Sequence, residues 1–460
     1  MLGGTNQASP RHPERSEGLR MTGKRVLVFQ LSTLQLDLWA LTTNNSLMTD
    51  IRQQQAVDQA LPDPEDFLEL EGDEFSAAFG ESLDATLDLS TWQPGEDMAA
   101  LYQRLEREIA GAVEQEDRIR ERIRSELFPL VFGHPGAPEG AGCYRVDLPT
   151  LERVHRGLLF TGAVEACDGT SLIHDSLALT IAQIGVSLVS YQGDQGAWVQ
   201  RLFRRDLRVH GLDPISEALS LLEKRHRRAA SEDNSSDRLS DLSRRGIMAY
   251  AERAILLRKS TAMWRMGHGN PVSLELLSGA GLVIDGEMPL LRQSIAVWWE
   301  LLAGHKKWVY VPSAPSNRLF LTLGNALYPL EYALVDTPTR RLQDFVENNL
   351  PQSKYIYPRD EARQFVEEVG PQLVIGVYRA SAAAPPYMFY AHRDYAHEAA
   401  MIVMADSAMQ EHRGFPMLID LADAVCRNTF GLDTFSAAIR EAYVEAGVPF
   451  RYLGEREMRP

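Results

Sequence analysis

The 460-residue chain is poor in cysteine: it has three, Cys143, Cys167 and Cys426, and no two form a C-x-x-C pair. That excludes a cysteine zinc knuckle and a disulfide framework, and it predicts a reducing, cytoplasmic setting. No apolar run approaches the roughly 18–20 residues that a membrane helix needs, so no membrane association is expected. H-E-x-x-H, G-x-x-x-x-G-K-[ST] and G-x-S-x-G are all missing, which leaves zinc protease, P-loop NTPase and serine hydrolase readings without footing. The histidines His392, His397 and His412 show no metal-binding spacing. Positive charge is short as well, with 47 Lys and Arg against 63 Asp and Glu and a formal net charge of -16. A protein that grips duplex DNA by its phosphates usually presents a basic surface. The balance therefore argues against a free-standing duplex binder. It agrees with an enzyme that receives its strand from a partner, or with acidic residues gathered round divalent cations.

What is present is ordinary for an ordered, soluble protein: 45% hydrophobic and 24% charged residues, enough for two or three folded units. Residues 1–24 are polar and rich in Pro, Gly and Arg, without the apolar centre of a secretory signal. They read as a disordered extension, with Met21 as the expected true start. A second region is expected over 25–150. It holds a short apolar stretch (26–36), an acidic irregular segment (50–98) and a helical pattern from Met98 to Phe132. In that pattern Leu101, Leu105, Ile109, Val113, Ile119, Ile123 and Leu127 recur at helical spacing, giving an amphipathic helix that packs on the core or pairs with a second subunit. GHPGAPEGAGC (133–143) is a loop by composition. The polar stretch 223–241 reads as an exposed loop or helix end whose basic half could touch phosphate.

Residues 151–460 form the expected main domain. Strands are predicted at 158–167, 178–191, 281–286, 307–312, 372–380 and 387–392. Helices are predicted near 197–206, 214–228, 240–265, 288–303, 316–325, 339–349, 359–368, 394–412, 416–428 and 434–446. Strands interleaved with helices predict an α/β sheet rather than a β sandwich.

Four constellations could carry chemistry. Asp168-Gly169-Thr170 follows the apolar run AVEAC, placing a carboxylate at the end of a buried strand, where α/β sheets hold ligands; the alternative is a strand-ending turn. Leu282-Val283-Ile284-Asp285-Gly286 repeats the arrangement. Two carboxylates on adjacent strand ends repel each other unless a cation such as Mg²⁺ or Mn²⁺ compensates. Glu252 lies in a helical pattern with Ala249, Ile255 and Leu256 on its face, and adds a third carboxylate suited to two-metal phosphodiester hydrolysis; alternatively it is a surface residue bonded to Arg253 or Arg258. Pro416 suits the first turn of a helix that puts Asp420 and Asp423 one turn apart, and one of them could face the sheet as a further ligand.

These motifs together resemble the NurA family of nucleases, partners of HerA-type translocases in DNA end processing. VEACDGTSLIHDSLALTIAQIGVSLVSY (164–191) looks like its opening signature, LVIDGEMPLL (282–291) like its second aspartate motif and GFPMLIDLADAV (414–425) like its C-terminal helix motif. The resemblance implies an RNase H-like mixed sheet flanked by helices, with a helical N-terminal extension outside the family core. It implies a divalent-metal-dependent deoxyribonuclease using Mn²⁺ or Mg²⁺ and acting on single-stranded DNA or DNA ends. It also implies a homodimer docked on a hexameric HerA-like ATPase. Asp168 and Asp285 match the family's metal-binding aspartates, Glu252 is the candidate for the glutamate between them, and Asp423 is the fourth site residue. Many members carry a Tyr and a His where this chain has Phe415 and Asp423. That departure admits a second reading, a catalytically weakened scaffold subunit of a repair or phage-defence complex. A third, an RNase H-like enzyme acting on RNA, shares the carboxylate logic.

Overall fold

The computed structural model describes residues 72–92, 98–176, 179–204, 238–313, 318–348 and 357–450, with a few further positions between 215 and 222. The expected extension (1–24), the apolar stretch 26–36 and most of the helix near 214–228 and of the polar stretch 223–241 lie outside the described residues. The chain divides into two compact units, Met1–Gln103 and Arg104–Pro460. In the first, the described part of the acidic segment is helical, with α1 (Gly72–Phe79) followed by a short helix, Leu83–Leu87. Ser82 caps that short helix by accepting from the Ala85 amide at 3.2 Å, and the Trp92 indole donates to the Thr86 carbonyl at 2.9 Å.

The second unit is built on one nine-stranded sheet. Its strands are β1 (Gly142–Arg145), β2 (Val164–Asp175), β3 (Thr180–Ser190), β4 (Gly193–Arg204), β5 (Trp264–His268), β6 (Trp308–Val311), β7 (Glu331–Asp336), β8 (Leu373–Arg379) and β9 (Tyr387–His392). They lie in the order β1-β7-β8-β9-β6-β5-β2-β3-β4. The pairs β2–β5 and β5–β6 are parallel and the others antiparallel, so the sheet is mixed, as expected. The longer helices after α1 are α2 (Met98–Arg122), α3 (Arg238–Arg258), α4 (Pro289–Trp298), α5 (Arg318–Asn325), α6 (Thr339–Asn348), α7 (Arg359–Val369), α8 (Ala396–Ala408), α9 (Met417–Phe430) and α10 (Leu432–Glu445).

Helices cover both faces of the sheet, which is why a central strand such as β6, Trp-Val-Tyr-Val, is buried at every position rather than alternating. On one face Cys167, Leu256, Leu291, Trp298 and Tyr310 share a core with α3 and α4. On the other, Ala166, Met266, Val403, Phe415 and Leu418 share a core with α8 and α9. Neighbouring residues of β2 thus feed opposite layers. The sheet's far edge is closed by β1, where Cys143 pairs with Ala333 of β7, and Arg124 Nη1 meets Glu331 Oε2 at 2.7 Å beside it.

Several elements differ from expectation. Residues 197–206 were predicted helical, but form β4 up to Arg204. The buried strand β3 needs a partner for its outer backbone groups, and β4 supplies a ladder along its whole length. The helix predicted over 240–265 stops at Arg258, and Trp264–His268 becomes β5. The predicted strand 158–167 starts only at Val164 and continues to Asp175. The predicted strand 281–286 is not a strand at all. Ile284 and Glu287 exchange two backbone hydrogen bonds of 2.9 Å around Asp285 and Gly286, whose φ values of 49° and 77° define a tight mirror-image turn. The amphipathic helix exists as α2, but Leu105, Ile109, Val113 and Ile119 are each more than half exposed. Its packing on the main core begins further on, at Ile123, Leu127 and Phe128.

Candidate active site at the β2–β5 junction

Asp168 lies where β2 outruns its parallel neighbour. The last parallel rung joins Cys167 to Gly267, and beyond it β2 continues with β3 alone. Asp168 is therefore mid-strand, at the end of its parallel pairing, rather than the last residue of a strand. It is 6% exposed, and its Oδ1 accepts from the Gly169 amide at 2.9 Å. It shares the sheet face of Ala166, the α9 side. Ser187, opposite Asp168 on β3, donates to the Ala422 carbonyl at 2.7 Å and so ties α9 down beside the aspartate.

Glu252 arrives from the other face on α3. A Cβ added to Gly169 would stand 2.6 Å from Glu252 Oε1 and 2.9 Å from Met248 Cγ, so glycine is what lets α3 bring its carboxylate against β2. The Glu252 side chain is 13% exposed. Burial raises its pKa to about 7, with the Asp168 charge pushing the same way and Arg253 and His268 opposing. Arg253 is 3.4 Å from Glu252 Oε2, yet its guanidinium donates mostly to backbone carbonyls, those of Ala249 and Pro271 at 2.7 and 2.8 Å and that of Asn270.

Asp423, on α9, is ion-paired with Arg427 and near enough to act electrostatically on His268 and Cys426. Asp420 is instead held by Arg413 at 2.8 Å and Gln410 at 2.7 Å. Phe415 is buried, with its ring edge-on to His268 at 5.8 Å between centroids. Asp168, Glu252 and Asp423 all lie within electrostatic reach of His268 at this junction. Asp285 is not gathered with them. It is exposed at the tip of its turn, and the charges that act most on Glu252 and His268 do not include it.

The place on the adjacent parallel strand that sequence reasoning gave to Asp285 is taken by His268, at the end of β5. Its Nδ1 is 3.4 Å from Asp168 Oδ1 and its Nε2 is 2.6 Å from Ser313 Oγ. Burial works against a charged ring, but the hydrogen bond to Asp168 and the charges of Asp168, Glu252 and Asp423 outweigh it, so the pKa is raised. Sequence reasoning missed His268 because it absorbed 240–265 into one helix. The signal was the short run Trp264–His268 closed by Gly-Asn-Pro, a strand ending in a breaker cluster.

Among the described residues, no group of three or more His, Cys, Asp or Glu side chains is arranged to hold a metal ion. The chemistry of the donors is nevertheless suited to one. Asp168 and Glu252 bring like charges into a buried junction, and Arg253, the cation beside Glu252, is largely committed to backbone carbonyls. The 3.4 Å between Asp168 Oδ1 and His268 Nδ1 is close to the spacing of two donors on one ion: at about 2.1 Å from a common ion, donors at right angles are about 3 Å apart. The other histidines are engaged structurally, His392 with Gln372 at 3.0 Å and His397 with Tyr332 at 2.7 Å.

No protein-family model and no curated protein matches the chain. Among solved structures, the NurA nuclease from Sulfolobus solfataricus is similar over 76% of this chain and 99% of that one, with 9% identity and a TM-score of 0.39. A NurA bound to dAMP and manganese overlaps 76% of this chain and 98% of that one, at 9% identity and a TM-score of 0.33. Endonuclease V from Ciona intestinalis, in complex with a 24mer DNA, overlaps 70% and 98%, at 10% identity and a TM-score of 0.22. These are loose overlaps of layout, and no activity is read from them. Among the described residues, no helix is long and apolar enough to cross a membrane.

Proposed function

We propose that the chain is a divalent-metal-dependent nuclease acting on single-stranded DNA or DNA ends, with Asp168, Glu252 and Asp423 as its acidic groups. The observation that carries this reading is the approach of Glu252 over Gly169 to Asp168, two carboxylates drawn into one buried junction. That costs folding energy unless a ligand uses it. The first and last of the motifs that resemble NurA, those holding Asp168 and Asp423, support the same reading. A bound Mn²⁺ or Mg²⁺ would supply a Lewis acid and a water of lowered pKa for phosphodiester hydrolysis.

Asp168 and Glu252 would hold that ion, with Asp423 on its α9 side. Glu252, with a carboxyl that titrates near neutrality, is suited to take a proton from water at its Oε1. His268, charged more readily than an ordinary histidine, offers a positive group to a phosphate oxygen. The formal charge of -16 is met in this reading by delivery of the strand from a HerA-like hexameric ATPase onto a homodimer, within DNA repair in the cytoplasm. Degradation of single-stranded DNA stimulated by Mn²⁺ and abolished in Asp168→Ala is the expected result. Metal-independent cleavage, or undiminished cleavage by that variant, overturns the reading.

The exposed position of Asp285 and the engagement of Asp423 with Arg427 favour one second reading, a scaffold subunit with weakened chemistry. Co-purification with the ATPase, together with no cleavage under any divalent ion, selects it.

A further inference from the structure

Asp406 is a buried charge that the chemistry at the junction does not use. It is fully buried in the last turn of α8, in the layer that holds Val403, Met404, Leu418 and Ile419. We propose that Asp406 is a positioning residue of the site: it fixes the first turn of α9 and with it the ring of Phe415 against His268. The inference rests on the nuclease reading above and adds to it a residue that touches no reacting atom.

Three observations carry it. First, α9 starts after Pro416 without a side-chain cap of its own, so its first amides need a partner from elsewhere. Asp406 Oδ2 accepts from the Leu418 amide at 2.9 Å. Its Oδ1 accepts from the hydroxyl of Tyr191, which follows the last residue of β3. One carboxylate thus joins α8, α9 and the sheet. Second, this is an unfavourable place for a charge. The negative pole of α8 opposes it, and only the positive pole of α9 favours it. Burial pushes the carboxyl up to about 6, against the hydrogen bonds from Tyr191 and Leu418. A buried charge is generally no more stable than an apolar residue of its size, so what the carboxylate adds is a fixed direction.

Third, the rest of α9 is pinned independently. Ser187 donates to the Ala422 carbonyl at 2.7 Å and Gln183 to the Phe430 carbonyl at 2.8 Å. Gln183 and Ser187 share one face of β3, and between them Gly185 lets Phe430 lie against the strand, where a Cβ would stand 2.3 Å from its Cδ2. The middle and end of α9 therefore stay on the sheet whatever happens at its start. Asp406 governs the start alone. Phe415 lies just before that start, and its ring is edge-on to His268 at 5.8 Å between centroids. Release of the first turn would free Phe415 and leave His268 without the ring that backs it, while the helix remains in place.

The test uses the full chain and two readouts: cleavage of single-stranded DNA with Mn²⁺, and the nuclear Overhauser contact between the Phe415 and His268 rings. Asp406→Leu keeps the volume and removes both acceptors. It is expected to unfold in denaturant no earlier than wild type, to lose the ring contact and to cleave about thirtyfold more slowly. Asp406→Asn still offers an acceptor to the Leu418 amide, so it should keep the contact and cleave within about threefold of wild type. That rescue separates placement from bulk stability. Tyr191→Phe stands in if the leucine variant does not fold, with a weakened ring contact and about fivefold slower cleavage expected. A ring contact of full strength in the leucine variant, or in the phenylalanine variant standing for it, overturns the inference. So does cleavage at the wild-type rate by that variant, or a loss in Asp406→Asn as deep as in Asp406→Leu. If the wild type cleaves no DNA under any divalent ion, the nuclease reading fails, and the ring contact alone then decides whether Asp406 places α9.

Discussion

Asp168-Gly169 and Asp285-Gly286 are the same dipeptide in two physical settings. The first lies in a strand hydrogen-bonded to β3, with its carboxylate 6% exposed and a helix pressed against its glycine. The second lies at the tip of an exposed turn, where both residues take positive φ. Around Gly169 the absent side chain makes room for Glu252; around Gly286 nothing stands within 4 Å of where a Cβ would be. In one case glycine permits a close approach, and in the other it permits a backbone angle. The lesson is that the same Asp-Gly pair after apolar residues gives a buried carboxylate where a second element comes down on the glycine and an exposed one where none does.

That contrast can be broken at either end. The largest effect is expected for Asp168→Ala, which should lower Mn²⁺-dependent cleavage of single-stranded DNA about a thousandfold, the scale of a lost interaction worth several kcal/mol in the transition state. Residual cleavage above a tenth of wild type would separate Asp168 from the chemistry. Glu252→Gln should cost about a hundredfold in the same assay and also change the pH dependence of stability in chelator. A carboxyl whose folded pKa stands near 7, above its ordinary value of 4.5, favours the fold below about pH 4.5 and loses that contribution as pH rises through 7. Thermal melts of the wild type should therefore fall between pH 5 and 8 by an amount on the order of 3 kcal/mol at most, and the glutamine variant should flatten that slope. A slope unchanged by the substitution would assign the pH effect to another group.

Gly169→Ala sharpens the comparison at the glycine itself. Its Cβ would meet Glu252 Oε1 at 2.6 Å, so a loss of about 1–3 kcal/mol in a denaturant titration is expected, with roughly tenfold lower activity. The open surroundings of Gly286 give no such clash, though its φ of 77° taxes any side chain by about 1 kcal/mol. The smallest effect is expected for Asp285→Asn, which suits a positive φ and should leave cleavage within about twofold of wild type. A loss as deep as that of Asp168→Ala would restore the turn to the site.

How much could be read from the residues follows from the same physics. The helices α4 to α7, α9 and α10 were legible because their apolar spacing is regular and they are bounded by Pro or Gly, and α8 by its run of alanine and other good helix formers. So were β3, β6, β8 and β9, whose apolar runs are long relative to their neighbours. β1, β5 and β7 were not read, because five residues such as Trp-Arg-Met-Gly-His carry too little pattern to outweigh the helix before them, and because the four residues of β1 are a strand only by virtue of their pairing with β7. Asp168 and Glu252 were legible as carboxylates in apolar company. His268 was hidden since its meaning lies in standing beside Asp168, one step past the last rung between β2 and β5, which no local pattern records. Asp285 misled because the apolar residues before it, Val283 and Ile284, are 44% and 58% exposed rather than buried in a strand.

The pairing of β1 with β7 has a consequence for how this protein is made and cut. Cys143 and Glu331, neighbours at that edge, are 188 positions apart in the chain. During synthesis the early strand must wait for its partner to emerge, with its backbone groups met by solvent until then. A chain shortened to begin at residue 151 would lack β1 and bare the flank of β7, offering an unpaired rim to other molecules. The stretch before 150 is in this sense the hem of the sheet, and trimming it away would invite clumping before it cost any chemistry.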